Sequence, residues 1–96
     1  MRPSEALRLN LESVRRLAAR IGATNIRVFG SVIRGEDTET SDLDILIDVP
    51  RGTTIPDLVG LEHDLSDKLG VDVDVLTPGD LHPRFREHVL QEARPL

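Results

Sequence analysis

The chain contains no cysteine, tryptophan or tyrosine, and only two phenylalanines, Phe29 and Phe85. Lacking cysteine, it has no disulfides, thiolate metal sites or cysteine nucleophiles, and its three scattered histidines offer little for an imidazole-rich centre. Any metal is therefore expected on oxygen ligands. The shortage of aromatics removes the stacking platforms of single-strand nucleic-acid binders. No apolar run approaches the ~18 residues that span a bilayer, and the opening MRPSEALRLN has no continuous apolar core of a signal peptide. A cytoplasmic protein without membrane association is the expectation. Basic residues are also in deficit: 12 Lys and Arg stand against 17 Asp and Glu, a net charge of -5. That balance argues against stable binding of long nucleic acid through its phosphates, but a nucleotide carried with its own magnesium remains compatible. At 96 residues the chain is expected to form a single domain over 1–96.

What is present is a regular alternation of patterns. Leu7, Leu11, Val14, Leu17, Ala18 and Ile21 recur at helical spacing, predicting one amphipathic helix from Ser4, as N-cap, to Ile21, with Gly22 as its stop. Asn25 to Phe29 reads as a buried strand ending in a Gly-Ser turn, and Ser31 to Gly35 as at most a short helix. Residues 42–49 alternate Leu43, Ile45 and Ile47 with Asp42, Asp44, Leu46 and Asp48, a second strand closed by Pro50-Arg51-Gly52. Thr54 and Asp57 resemble a capping box opening a helix through Leu58, Leu61, Leu65 and Leu69 to Gly70. Val71 to Leu76 is a third strand, and a last helix from about Pro83 to Glu92 is expected to bury Phe85 and Val89. The predicted order is α-β-α-β-α-β-α, a small α/β fold in which helices flank a three-stranded sheet.

The stretch GSVIRGEDTETSDLDILIDV concentrates the unusual chemistry. Residues two apart in a strand project to one side with Cα atoms about 6.6 Å apart, so Asp42 and Asp44 present their carboxylates together. If the third strand lies beside the second, about 4.8 Å away, Asp74 joins them. Three such anions suit hard cations, and two magnesium ions about 3.5–4 Å apart can span the attacking and leaving oxygens of a phosphoryl transfer. Gly30 lets a ligand approach closely, and the amides and Ser31 hydroxyl after it can donate to a polyphosphate. Taken alone, Ser-Asp-x-Asp is ordinary turn chemistry. The full pattern G-S-x2-R-G-x5-S-D-x-D, followed by a strand with another acid, points to a site instead.

Gly30-Ser31, Arg34-Gly35 and Ser41-Asp42-Leu43-Asp44 resemble the signature of the minimal nucleotidyltransferases, the smallest members of the DNA polymerase beta superfamily. The stretch Val73 to Leu96 is similar to that family's third-aspartate strand and closing helix, so the resemblance covers nearly the whole chain. It implies a mixed sheet flanked by helices. It also implies that Asp42, Asp44 and Asp74 ligate two magnesium ions, that Asp74 helps deprotonate an attacking hydroxyl, and that Gly30 and Ser31 hold the triphosphate of ATP. Asp72 shares Asp74's parity, and only the family's V-D-x-x-T-P position favours Asp74. Ile33 departs from the small residue the family often has there.

Arg34 could meet the triphosphate or brace the carboxylates. Asp48, Glu36, Asp37 and Glu39 are expected on a solvated surface, as are Arg8, Arg15, Arg16 and Arg20, and His63, His82 and His88 have no partner at metal-ligand spacing. The resemblance further implies AMP transfer to a tyrosine of a HEPN-domain ribonuclease toxin, with this chain as antitoxin; no module for an acceptor is evident in the sequence. The alternatives are an antitoxin that masks its toxin without catalysis, and an enzyme acting on a small hydroxylated compound such as an aminoglycoside.

Overall fold

Asn10 interrupts the N-terminal helical pattern. In the computed structural model, which describes all residues 1–96, the expected single helix is two: α1, Pro3–Leu9, and α2, Leu11–Ala19. The Asn10 side-chain amide donates back to the Ala6 carbonyl at 2.8 Å, the local competition with helical bonding that makes asparagine a poor interior residue. Arg2, not Ser4, is the N-cap, because Pro3 fits the first helical position and Glu5 returns to accept the Arg2 amide. The apolar stripe survives the break, with Ala6, Leu7, Val14 and Ala18 buried.

The remaining elements are β1 (Thr24–Phe29), α3 (Ser31–Arg34), β2 (Leu43–Asp48), α4 (Ile55–Leu69), β3 (Val73–Leu76), a 3-10 turn (Pro78–Asp80), α5 (Pro83–Glu92) and β4 (Arg94–Pro95). The sheet runs β3-β2-β1-β4, with β2 and β3 parallel and β1 antiparallel to both β2 and β4. It is mixed, as expected, but four-stranded rather than three-stranded. The added strand is only two residues, Arg94 and Pro95, paired with Val28 and Arg27. Proline carries no pattern signal for a strand and is tolerated here because β4 is an edge. The Thr54–Asp57 capping box forms reciprocally, the Asp57 amide reaching Thr54 Oγ1 at 3.2 Å and the Thr54 amide reaching Asp57 Oδ2 at 2.9 Å.

The two sheet faces divide the labour by strand parity. Val28, Leu43, Ile45, Ile47, Val73 and Val75 pack against α1, α2 and α4, through residues including Val14, Leu61 and Leu65. On the opposite face Phe29 and Leu46 meet Leu81 and Ala93, with Leu76 and Val89 packed beside them. Phe85 is not buried as expected: it is 57% exposed. It lies in the first turn of α5 against the His82 ring, centroids 5.9 Å apart, and the stripe that reaches the sheet begins a turn later at Val89. No helix is long and apolar enough to cross a membrane.

Candidate active site

The turn between β1 and α3 is built around Gly30. Its backbone sits at φ 79°, ψ -151°, a region essentially confined to glycine, and a Cβ there would collide with Asp44 Oδ2. The turn therefore lies directly over Asp44. Strand register does the rest: Asp44 is the Cα partner of Phe29 on β1 and of Asp74 on β3. Asp42 sits exposed just before β2, two residues from Asp44, and the next amide, that of Leu43, donates to the Asp72 carbonyl at 2.8 Å.

These carboxylates feel one another. Burial first, then the charges of Asp74 and Asp42, push the Asp44 carboxyl up to about 6; Glu92 adds to the rise and Arg34 opposes it. Burial likewise raises Asp74, followed by repulsion from Asp42, Glu62 and Asp72. Asp72 and Asp74 are both exposed, but register puts Asp74 level with Asp44, whereas Asp72 lies before β3. The three acids share one end of the sheet face but are not drawn into a closed cage, for no three acidic or imidazole side chains stand at ligand geometry. As a donor set they nevertheless fit a hard divalent ion: oxygen only, anionic, and one of them half-buried beside two like charges.

Arg34, at the end of α3, takes a course between the two expected roles. Its Nε donates to Glu36 Oε1 at 2.6 Å, and its Nη1 to both Glu92 oxygens at 3.1 Å. It braces carboxylates, but not those of Asp42 and Asp44. The bonds to Glu36, and next those to Glu92, strengthen its hold on its proton. Asp37 corrects the reading of an all-solvated acidic loop: it is buried, 7% exposed, and accepts the Ser4 amide at 2.9 Å. Glu36 and Glu39 are exposed as expected. Asp48 is partly exposed yet partnered, with Arg27 at 2.8 Å and Asn25 at 3.0 Å. His63 is exposed, His82 Nδ1 accepts the Arg84 amide, and His88 stands 3.5 Å from Glu92.

Glu92 is the residue sequence reasoning missed. Its carboxylate, 13% exposed, accepts the Gly30 amide at 2.7 Å as well as Arg34. Burial would raise its carboxyl, but the bonds from Gly30 and Arg34 outweigh burial and hold it below the ordinary range. One signal was available, since an acid in the last turn of a helix opposes the macrodipole and calls for a compensating partner.

Residues 10–96 match the model of the nucleotidyltransferase domain. The chain belongs to that family. A Methanocaldococcus jannaschii protein named as a putative protein adenylyltransferase is 37% identical over 89 residues, spanning 88% of this chain and 96% of the relative. Protein adenylyltransferase MntA of Thermococcus cleftensis is 38% identical over 76 residues, 79% of this chain and 77% of its own. Among solved structures, one described as a putative minimal nucleotidyltransferase superposes with a TM-score of 0.85 at 49% identity, covering 97% of this chain and 95% of that one. A toxin-antitoxin crystal structure with AMP-PNP shares the fold, with a TM-score of 0.77 at 20% identity over 90% of this chain and 71% of that one. The protein is thus a nucleotidyltransferase with the minimal fold of that family, and its curated relatives bear the name protein adenylyltransferase.

Proposed function

We propose that this nucleotidyltransferase moves AMP from ATP, with magnesium, to a tyrosine hydroxyl of a cognate HEPN ribonuclease toxin and so acts as its antitoxin. The observation that carries the reading is the alignment of Asp44 with Asp74 across β2 and β3, with Asp42 two residues away and the Gly30 turn packed on Asp44. Support for a protein acceptor comes from relatives named protein adenylyltransferase, and support for a toxin partner from the fold shared with a toxin-antitoxin structure holding AMP-PNP.

In this reading Asp42, Asp44 and Asp74 hold the magnesium ions. When bound, the ions neutralise charge on the transferring phosphoryl group and on the departing pyrophosphate. The chain's own residues position and move a proton. Ser31 and the amides opening α3 donate to the triphosphate on the side away from the acids. Gly30 contributes the missing Cβ that lets Asp44 and ligand share a tight space. Arg34, with Nε and Nη1 already engaged, offers its Nη2 edge to phosphate oxygens. Asp74, level with Asp44 in the strand register, accepts the proton of the incoming hydroxyl as oxygen attacks the α-phosphorus in line and the bond to pyrophosphate breaks.

The test is incubation of the chain with α-labelled ATP, magnesium and a candidate HEPN-domain toxin that binds it. Label on a tyrosine of that protein, lost in Asp42→Asn and Asp44→Asn chains that still bind it, is the expected result. Neutralisation of the toxin that survives both substitutions with no label transferred would leave masking as the function.

A further inference from the structure

We infer that Glu92 is a positioning residue for nucleotide transfer, a clamp from the end of α5 that fixes both the Gly30 turn and the Arg34 guanidinium in the orientation the triphosphate needs. The inference rests on the nucleotidyltransferase reading above and assigns a role to a side chain that motif spacing does not reach.

The argument starts from Arg34. A guanidinium has donors on three nitrogens in one plane, so fixing two of them fixes the direction of the third. Glu36 takes Nε and Glu92 takes Nη1 through both of its oxygens, which leaves Nη2 as the free edge. Glu36 is an exposed side chain on the following loop, whereas Glu92 is largely buried. Of the two, Glu92 is the one with little freedom to move. The same carboxylate accepts the Gly30 amide at 2.7 Å, a short, charge-assisted bond to a residue whose φ of 79° only glycine holds without strain. One side chain, 62 residues away in sequence, therefore ties the β1–α3 turn to α5. Because the Gly30 amide is engaged, phosphate donors after β1 come from Ser31 onward. The opposite reading, that Glu92 merely occupies an anion seat and is expelled by phosphate, requires both contacts to break on nucleotide binding.

The experiment is a cycle of Glu92→Gln, Arg34→Ala and the double variant, read by ATP affinity with magnesium, by KM and kcat toward the acceptor, and by thermal unfolding. Glu92→Gln keeps an acceptor for Gly30 but removes the charge that orients Arg34. It is expected to weaken ATP binding roughly tenfold in the wild-type background, the scale of one lost charged hydrogen bond, and less than about twofold in the Arg34→Ala background. Tighter ATP binding by Glu92→Gln, or an equal loss with and without Arg34, overturns the inference. Amide hydrogen exchange on the unsubstituted chain gives an independent reading. Protection of the Gly30 amide should persist when ATP and magnesium are added, and its loss would show that phosphate displaces Glu92. An unsubstituted chain that takes up no ATP at all would instead overturn the nucleotide reading, and the clamp's role with it.

Discussion

Replacing Asp44 by asparagine should make the metal-free protein more stable while destroying its chemistry. The Asp44 carboxyl rises from 3.8 to about 6 on folding, first through burial and then through Asp74 and Asp42. A carboxyl whose folded pKa is raised binds its proton more tightly in the folded chain than in the unfolded one, so ionising it opposes folding. The cost is nil below the unfolded value, grows between 3.8 and about 6, and is complete above about 6. At 1.36 kcal/mol per pH unit the ceiling is about 3 kcal/mol, and screening of a site open to solvent on one side reduces this to about 1–2 kcal/mol. Asparagine nearly matches the shape and never ionises. In EDTA at pH 8, Asp44→Asn should therefore melt about 5–10 °C above the unsubstituted chain, and at pH 3 the two should coincide. Scanning calorimetry at the two pH values checks this. A variant that melts lower at pH 8, or a gain of equal size at pH 3, would refute the claim that Asp44 is held against its own electrostatics.

The other predictions concern the supports of the site. Asp37→Ala should cost about 1–3 kcal/mol in urea unfolding at pH 7, because the Ser4 amide loses its charged acceptor. Burial would raise the Asp37 carboxyl, but the Ser4 bonds hold it below its usual range, so its contribution is present above an unfolded value near 3.8 and fades as pH falls below that. The difference between Asp37→Ala and the unsubstituted chain should accordingly narrow at pH 2. Gly30→Ala should destabilise by about 1–3 kcal/mol and abolish nucleotide transfer, since it combines strain at positive φ with a collision at Asp44. Phe85→Ser should change stability by no more than about 0.5 kcal/mol, whereas a cost above 2 kcal/mol would show that this side chain is part of the core after all.

The sequence was most readable where one physical signal dominated. Strand parity placed Leu43, Ile45 and Ile47 on one face and Asp42, Asp44 and Asp48 on the other, because a core-facing strand has no alternative register. The Thr54 capping box and the Gly70 stop were legible for the same reason, since their local geometry needs no tertiary help. Legibility failed where tertiary contact decides. Helical periodicity ran through Asn10 unbroken, but periodicity reports a face and not continuity of hydrogen bonding. Phe85 was hydrophobic and on the right stripe, yet its turn does not reach the sheet-side cluster. Asp37 looked like one of several acids in a loop, and only the approach of the Ser4 amide distinguishes it. The two-residue β4 exists through its pairing with Arg27 and Val28 and carries no pattern of its own.

The places where the chain breaks local rules converge on one residue. Asp44 is an acid held half out of water among like charges, Glu92 is an acid at the wrong end of a helix dipole, and Gly30 is a backbone position closed to every side chain. Asp44 presses on Gly30 from the side where a Cβ would stand, and Glu92 holds its amide. Each of the three is unfavourable by itself, and all meet at the turn that follows β1, the pattern expected where a fold gives up stability to hold a functional geometry. Contact of this kind has a consequence for energetics. Substitutions at Gly30, Asp44 and Glu92 share partners, so their effects on nucleotide affinity should not add, while a cap substitution such as Thr54→Ala, which touches none of them, should add to each without coupling.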